Sequence, residues 1–147
     1  MTTLSSAAAH MNIHLLKVLI PTLKARQSLS KCSAGKVAAL ITSPDFDTIY
    51  SAGHNGGTAL MPCLCAAGDK YKCLHAEINA LLGAKVDYIH TPAVMLISKA
   101  PCISCAAAIV NAGIQHVYYL DDYSCTAGLD LLTAHGIGTT KLLIGGE

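Results

Sequence analysis

The sequence predicts one α/β domain, in which a sheet of about five strands carries helices on both faces. The length of 147 residues fits a single compact domain with a sizeable core. Strand-like and helix-like stretches alternate after an opening hairpin, which is the pattern of helices packed on a central sheet. No internal repeat interrupts this order. We therefore expect one domain over residues 1–147, with a core over about 10–144.

The first predicted element is a helix. Apolar residues recur near helical spacing from His10 to Ser28. Pro21 interrupts the pattern, but proline suits the first turn of a helix. The helix therefore either runs through Pro21 or begins anew there.

A hairpin and a long loop follow. The apolar segments 36–42 and 47–52 predict two strands, because Ser43-Pro44-Asp45 between them is typical of a turn. The stretch 53–71 is rich in glycine and predicts a loop.

The second half of the chain alternates between helix and strand. A helical pattern at 74–82 ends at Gly83, and the apolar run at 93–98 indicates a strand buried on both faces. Pro101 opens the next helix, since proline is favoured in a first turn. The remaining predicted elements are that helix at 101–112, a strand at 115–120, a helix at 126–135 and a strand at 140–144.

The amino-acid composition indicates which kinds of binding partner the protein has. Charged residues make up 13% of the chain, against about 25% in an average soluble protein. So few charges predict that apolar surface is buried between subunits, in a homo-oligomer. The net charge is +1 and the ten Lys and Arg residues are scattered, without the basic stripe of a nucleic-acid-binding protein. We expect a small-molecule substrate and no polynucleotide.

Residues 1–9 lack the basic start and apolar block of a signal peptide, and no apolar run reaches membrane-spanning length. We therefore expect a cytoplasmic protein without a membrane partner. In that compartment the seven cysteines are expected to ligate metal or stay reduced.

Two short motifs predict a metal site. One is His75-Ala76-Glu77 at the start of a predicted helix, and the other is Cys102 and Cys105 at the start of the next. One imidazole and two thiolates leave the fourth tetrahedral position open, which is the arrangement of a catalytic zinc ion. Glu77 is the predicted base, since a glutamate in an apolar helix costs desolvation unless it has a task. Each motif alone is weak, because Cys-x-x-Cys also occurs in redox pairs.

Together these motifs resemble the cytidine deaminase superfamily, and most closely its deoxycytidylate (dCMP) deaminases of phage and bacterial type. The similarity runs from about Ser30 to about Gly136 and includes the Gly53-His54-Asn55-Gly56 turn. It implies a three-layer α-β-α fold with a mixed five-stranded sheet. His54 stands where that family usually has tyrosine.

The resemblance also implies an activity in pyrimidine nucleotide metabolism. It is the zinc-dependent hydrolysis of dCMP to deoxyuridylate (dUMP) and ammonia, with one catalytic zinc ion per chain and Glu77 moving the protons. Other nucleobases, nucleosides or modified cytidylates stay open as substrates. A further alternative is a structural zinc module without catalysis, whose metal would be closed by a fourth protein ligand. The oligomer implied is a hexamer or a dimer.

Four residues are predicted to bind the substrate: Asn55, Ala76, Arg26 and Tyr123. The resemblance assigns Asn55 to the sugar and Tyr123 to the pocket wall. Arg26, the only arginine, is a candidate for a substrate phosphate because guanidinium binds phosphate bidentately. Lys31 and Lys36 compete for that role.

Three further cysteines, Cys63, Cys65 and Cys73, precede the first metal motif. With a fourth ligand, either Cys32 or His54, they would form a closed structural zinc site, which some phage-type relatives hold in this region. The alternative is three reduced cysteines without metal.

Overall fold

The computed structural model describes residues 14–63, 65, 73–88 and 90–143. The chain forms a five-stranded sheet with helices on both faces. A π-helical segment, Leu15–Leu19, runs directly into a helix. The four α-helices are α1 (Ile20–Gln27), α2 (Ala76–Gly83), α3 (Ile103–Ala112) and α4 (Ala127–Ala134). The strands are β1 (Ala38–Thr42), β2 (Ile49–His54), β3 (Val94–Lys99), β4 (His116–Asp121) and β5 (Gly138–Lys141).

The sheet is mixed, in the order β2-β1-β3-β4-β5. Strand β1 is antiparallel to both β2 and β3, whereas β3, β4 and β5 are parallel. The predicted three-layer α/β fold with a mixed five-stranded sheet is therefore confirmed. Among the described residues, no helix is long and apolar enough to cross a bilayer.

Alternation along the strands divides the core into two layers. Leu40 of β1 and Leu96 of β3 face the π-helical segment and α1, and pack with Leu19 and Leu23. Their neighbours in sequence face the opposite side, where Ile97 packs with residues of α2, α3 and α4. Each face of the sheet is thus covered by helix, and two of the three helices on the second face, α2 and α3, begin at the predicted metal motifs.

Most element boundaries lie within two residues of the predictions, and three elements differ more clearly. The predicted first helix begins in residues outside the described part of the chain, and its first described turns are π-helical. There the Ile20 N–H bonds to the Leu15 carbonyl, just before Pro21, which has no N–H to continue an α-helical pattern. The last strand spans Gly138–Lys141 rather than 140–144.

Strand β2 extends two residues further than predicted, to His54. In the sequence, Gly53 suggests a loop. In the structure it is a strand residue that lets β2 pack closely against α2. A Cβ there would lie 2.5 Å from the Ala80 nitrogen and 2.6 Å from the Ala76 oxygen, so β2 lies directly against the backbone of α2.

Candidate active site

The N-termini of two helices meet on one side of the sheet. His75 is the N-cap of α2 and Cys102 is the N-cap of α3, and both have extended backbone conformations. Cys105 lies in the first turn of α3 and is buried. The positive end of a helix dipole favours thiolate over thiol, so the start of α3 suits metal-binding cysteines.

The three predicted ligands converge. The His75 Nδ1 atom lies 3.3 Å from the Cys105 sulfur and 3.4 Å from the Cys102 sulfur. All three ligand atoms lie within 4.8 Å of one another. Nitrogen and sulfur ligands of a tetrahedral zinc ion are about 3.6 Å apart, from bond lengths of about 2.0–2.3 Å. The donor set and its spacing therefore fit zinc.

This cluster contains three ligands among the described residues, which matches a catalytic rather than a closed structural zinc site. Burial raises the pKa of Cys105, and the negative charges of Glu77 and Cys102 add to this effect. Without a cation the Cys105 thiol thus keeps its proton, and metal binding must release it.

Glu77 lies beside the cluster and is only 4% exposed. Burial raises the pKa of its carboxyl group, while nearby His75 opposes this shift. Burying an ionised carboxylate destabilises the folded state by several kcal/mol, on the order of the cost of transfer from water, unless a cation or a hydrogen bond compensates. At this position the carboxyl group of Glu77 can accept or donate a proton next to the predicted metal.

A cavity of about 220 Å³ opens onto Glu77. It is lined by His75, Ala76 and Cys102 on the helix side, and by Asn55 and Tyr123 from two loops. Three of the four predicted substrate-binding residues, Asn55, Ala76 and Tyr123, therefore share this cavity with Glu77 and with two of the predicted metal ligands, His75 and Cys102.

Asn55 is 7% exposed and its amide is largely engaged. Its Oδ1 accepts hydrogen bonds from Ser30 Oγ at 2.7 Å and from the Val37 N–H at 2.8 Å. Its Nδ2 donates to the Gly35 carbonyl at 2.7 Å. An amide has two acceptor positions and two donors, so one N–H is left for a ligand. Asn55 thus fixes the 30–37 loop as one wall of the cavity.

Arg26 does not line this cavity. Its Nε donates to His54 Nδ1 at 3.0 Å, and both residues line a second cavity of about 560 Å³ that adjoins the first at Asn55. Lys31 lines the second cavity as well. Burial, followed by the Arg26 charge, lowers the pKa of His54. The phosphate role of Arg26 stays a prediction. Its position in the second cavity, away from Glu77, argues against that role.

The four remaining clustered cysteines lie between the two cavities. The sulfurs of Cys32, Cys63, Cys65 and Cys73 all lie within 4.8 Å of one another. The Cys32 sulfur is 3.5 Å from that of Cys63 and 3.8 Å from that of Cys73. All four are free cysteines. Of the two candidates for a fourth ligand, the structure brings Cys32 to the cluster, whereas His54 is engaged by Arg26.

Sequence reasoning did not single out Lys99 and Gly128, which both lie at the site. Lys99 lines the catalytic cavity, and a single charged residue at the end of an apolar strand was a usable signal in the sequence. Gly128 lies in α4, where a Cβ would be 2.2 Å from the Pro101 oxygen and 2.9 Å from the Cys102 carbonyl. In the sequence, an isolated glycine inside a helical pattern indicates such a close contact.

A protein-family model described as "Cytidine and deoxycytidylate deaminase zinc-binding region" matches residues 14–121, more than half of the chain. Deoxycytidylate deaminase of Saccharomyces cerevisiae is 32% identical over 108 residues, which cover 65% of this chain and 34% of the yeast protein. Deoxycytidylate deaminase of Schizosaccharomyces pombe is 36% identical over 70 residues, covering 47% of this chain and 22% of that protein. This chain thus spans about a third or less of the length of either relative.

A solved structure is similar over nearly the whole chain. It is the dCMP deaminase of cyanophage S-TIM5 in complex with dCMP and dUMP. The TM-score is 0.79 at 26% sequence identity, and the match covers 90% of this chain and 100% of the phage chain.

Proposed function

Because the chain belongs to the cytidine and deoxycytidylate deaminase zinc-binding family, we propose that it hydrolyses dCMP to dUMP and ammonia. One observation carries the proposal above all: a glutamate that is 4% exposed lies in a cavity beside three converging zinc-type ligands. The similarity to a phage dCMP deaminase supports the choice of substrate.

We propose that His75, Cys102 and Cys105 hold one catalytic zinc ion. When bound, zinc makes a water molecule nucleophilic at neutral pH by lowering its pKa. Glu77 takes one proton from the attacking water and gives it to N3 of the cytosine ring, and it then takes the second proton from the new C4 hydroxyl and gives it to the departing amine. Addition of water at C4 and loss of the amine then give the uracil ring and ammonia.

The remaining residues orient the substrate and shape its cavity. Ala76 contributes a small side chain next to Glu77, which leaves room for a ring. The remaining N–H of Asn55 is the proposed donor to a sugar hydroxyl, since the other amide positions are occupied. Tyr123 supplies an aromatic wall and a phenolic hydroxyl.

A substrate panel with purified, zinc-loaded protein tests this function by ammonia release. We expect dCMP to exceed deoxycytidine by at least about 100-fold in kcat/KM, which corresponds to about 2.7 kcal/mol. Cytosine, deoxycytidine and dCMP are compared under one condition. Equal efficiency with deoxycytidine and dCMP would assign a nucleoside deaminase instead, and no ammonia from any cytosine compound would refute the deaminase.

We also propose that Cys32, Cys63, Cys65 and Cys73 hold a second, structural zinc ion. Sulfur ligands of a tetrahedral zinc ion are about 3.8 Å apart, and two of the sulfur pairs are separated by 3.5 and 3.8 Å. Hydrogen bonds from Cys65 lower the pKa of Cys63 to about 7, so one thiolate is accessible near neutral pH. The hydrogen bond with Cys63 raises the pKa of Cys65 to about 11 and burial raises the pKa of Cys73, so metal binding must release protons from these two thiols. Four cysteine ligands make a closed site, which suits a role in rigidity rather than catalysis.

Metal analysis tests the second ion. We expect two zinc ions per chain, falling to one when Cys63 and Cys65 are both replaced by serine. One zinc ion per chain in the unmodified protein, unchanged in the double variant, would dismiss the site.

Finally, we propose that the protein is a cytoplasmic homo-oligomer. Large apolar side chains remain exposed among the described residues, including Leu82 at 67% and Ile103 at 54%. The seven free cysteines suit a reducing compartment. Light scattering after size exclusion gives the mass, and a monomer at micromolar concentration would contradict the oligomer.

A further inference from the structure

We infer that Lys99 binds the anionic group of the substrate in the catalytic cavity and so selects a nucleotide over a nucleoside. The inference rests on the proposed function, because it names the residue through which that site recognises a phosphate. It also assigns to Lys99 the role that the sequence suggested for Arg26.

The charges of the cavity support Lys99. Among the residues that line the catalytic cavity, Lys99 is the one lysine or arginine, and Glu77 is the one acidic residue. Arg26 and Lys31 line the adjoining cavity instead. Apart from the proposed zinc ion, which serves the reacting ring, a substrate phosphate in this cavity therefore has the Lys99 ammonium as its available cation.

The backbone holds Lys99 firmly at the end of the sheet. It is the last residue of β3, where its Cα pairs with that of Asp121. The next peptide is also fixed, since the Ala100 N–H donates to the Asp121 carbonyl at 2.8 Å. Lys99 shares the sheet face of Ile97 by alternation, which is the face covered by the helices of the site.

Contact with Tyr123 orients the Lys99 side chain without neutralising its positive charge. The Lys99 Nζ atom lies 5.3 Å from the centre of the Tyr123 ring, within the range of a cation–π interaction. That interaction leaves ammonium N–H groups free to donate. Within the described part of the chain, no carboxylate forms a salt bridge with Lys99, although Asp121 is its partner on the neighbouring strand.

Kinetics of three single variants test the assignment, with dCMP and deoxycytidine as substrates. Lys99→Met keeps the apolar stem and removes the charge, and Lys99→Arg restores a charge. Lys24→Met is the matched control, an exposed lysine of α1 that lines neither cavity. We expect Lys99→Met to raise KM for dCMP about tenfold or more with little change in kcat, and to change kcat/KM for deoxycytidine several-fold less than kcat/KM for dCMP. Lys99→Arg should recover most of the dCMP preference.

Binding of the products separates this inference from the proposed function. Calorimetry with dUMP and deoxyuridine requires no turnover, and we expect Lys99→Met to remove the preference for dUMP. If the protein prefers dUMP through Lys99 yet releases no ammonia, the deaminase is wrong and the anion site stands. If the unmodified protein binds both products equally, or if Arg26→Met rather than Lys99→Met removes the preference, the role of Lys99 is refuted.

Discussion

Replacing Gly128 with alanine tests the proposed metal site through a residue that is not one of its ligands. The added Cβ would lie 2.2 Å from the Pro101 oxygen, about 1.2 Å closer than the 3.4 Å at which ordinary contact begins. Both partners are backbone, so no flexible side chain can relieve the clash. Either α4 moves away or the peptide that carries Cys102 moves toward the cavity.

The size of the effect follows from the tolerance of the site. Zinc–ligand distances vary by about 0.2 Å, so a displacement near 1 Å at Cys102 exceeds that tolerance several-fold. We expect zinc affinity to fall about 10- to 100-fold, as for changes that disturb ligand orientation. Overpacking costs about 1–3 kcal/mol of stability, partly offset by up to about 1 kcal/mol from the better helix propensity of alanine.

Competition with a zinc chelator measures this affinity, and urea unfolding measures the stability. Gly56→Ala is the matched control, since a Cβ at Gly56 meets no atom within 4 Å and the backbone there is not left-handed. Zinc affinity in Gly128→Ala equal to that of the control would refute the claim that α4 positions Cys102.

Two further variants test the cavity wall and the pH response. Asn55→Asp replaces the Nδ2 donor to the Gly35 carbonyl with an oxygen at 2.7 Å, so we expect a loss of about 1–3 kcal/mol in urea unfolding; a loss below about 0.5 kcal/mol would show that this bond is dispensable. Burial lowers the pKa of His116, so the unfolded chain binds more protons than the folded one below the ordinary value of 6.5, and His116 weakens the fold as pH falls through that range. His116→Gln should therefore make the free energy of unfolding less dependent on pH between about pH 7.5 and about pH 5.5, and an unchanged slope would contradict the assignment.

The sequence pattern was sufficient for the elements that build the site. Periodicity located β3 and α3 to within one or two residues, because both are apolar and end at proline or glycine. The candidate ligands Cys102 and Cys105 could be predicted because they lie within one turn of the same helix, and His75 because Glu77 follows it two residues later.

Other features depend on contacts between distant segments, which a local pattern does not carry. Gly53 reads as a loop residue, and only the position of α2 shows that it is a strand residue at a close approach. Cys32 lies 31 residues from Cys63, and the choice between Cys32 and His54 required the folded loop. Arg26 was attractive for its chemistry alone, but α1 places it against the second cavity.

The most direct test of the account is the activity and zinc content of Glu77→Gln. Glutamine keeps the size of the side chain and removes only the proton acceptor, while His75, Cys102 and Cys105 are untouched. We predict normal zinc content and a loss of dCMP turnover of about 10²–10⁴-fold or more, the contribution of general acid–base catalysis. Zinc content is read by metal analysis and turnover by ammonia release on the same sample. A variant that retains zinc and deaminates dCMP at a near-normal rate would contradict the role of Glu77 and with it the proposed mechanism.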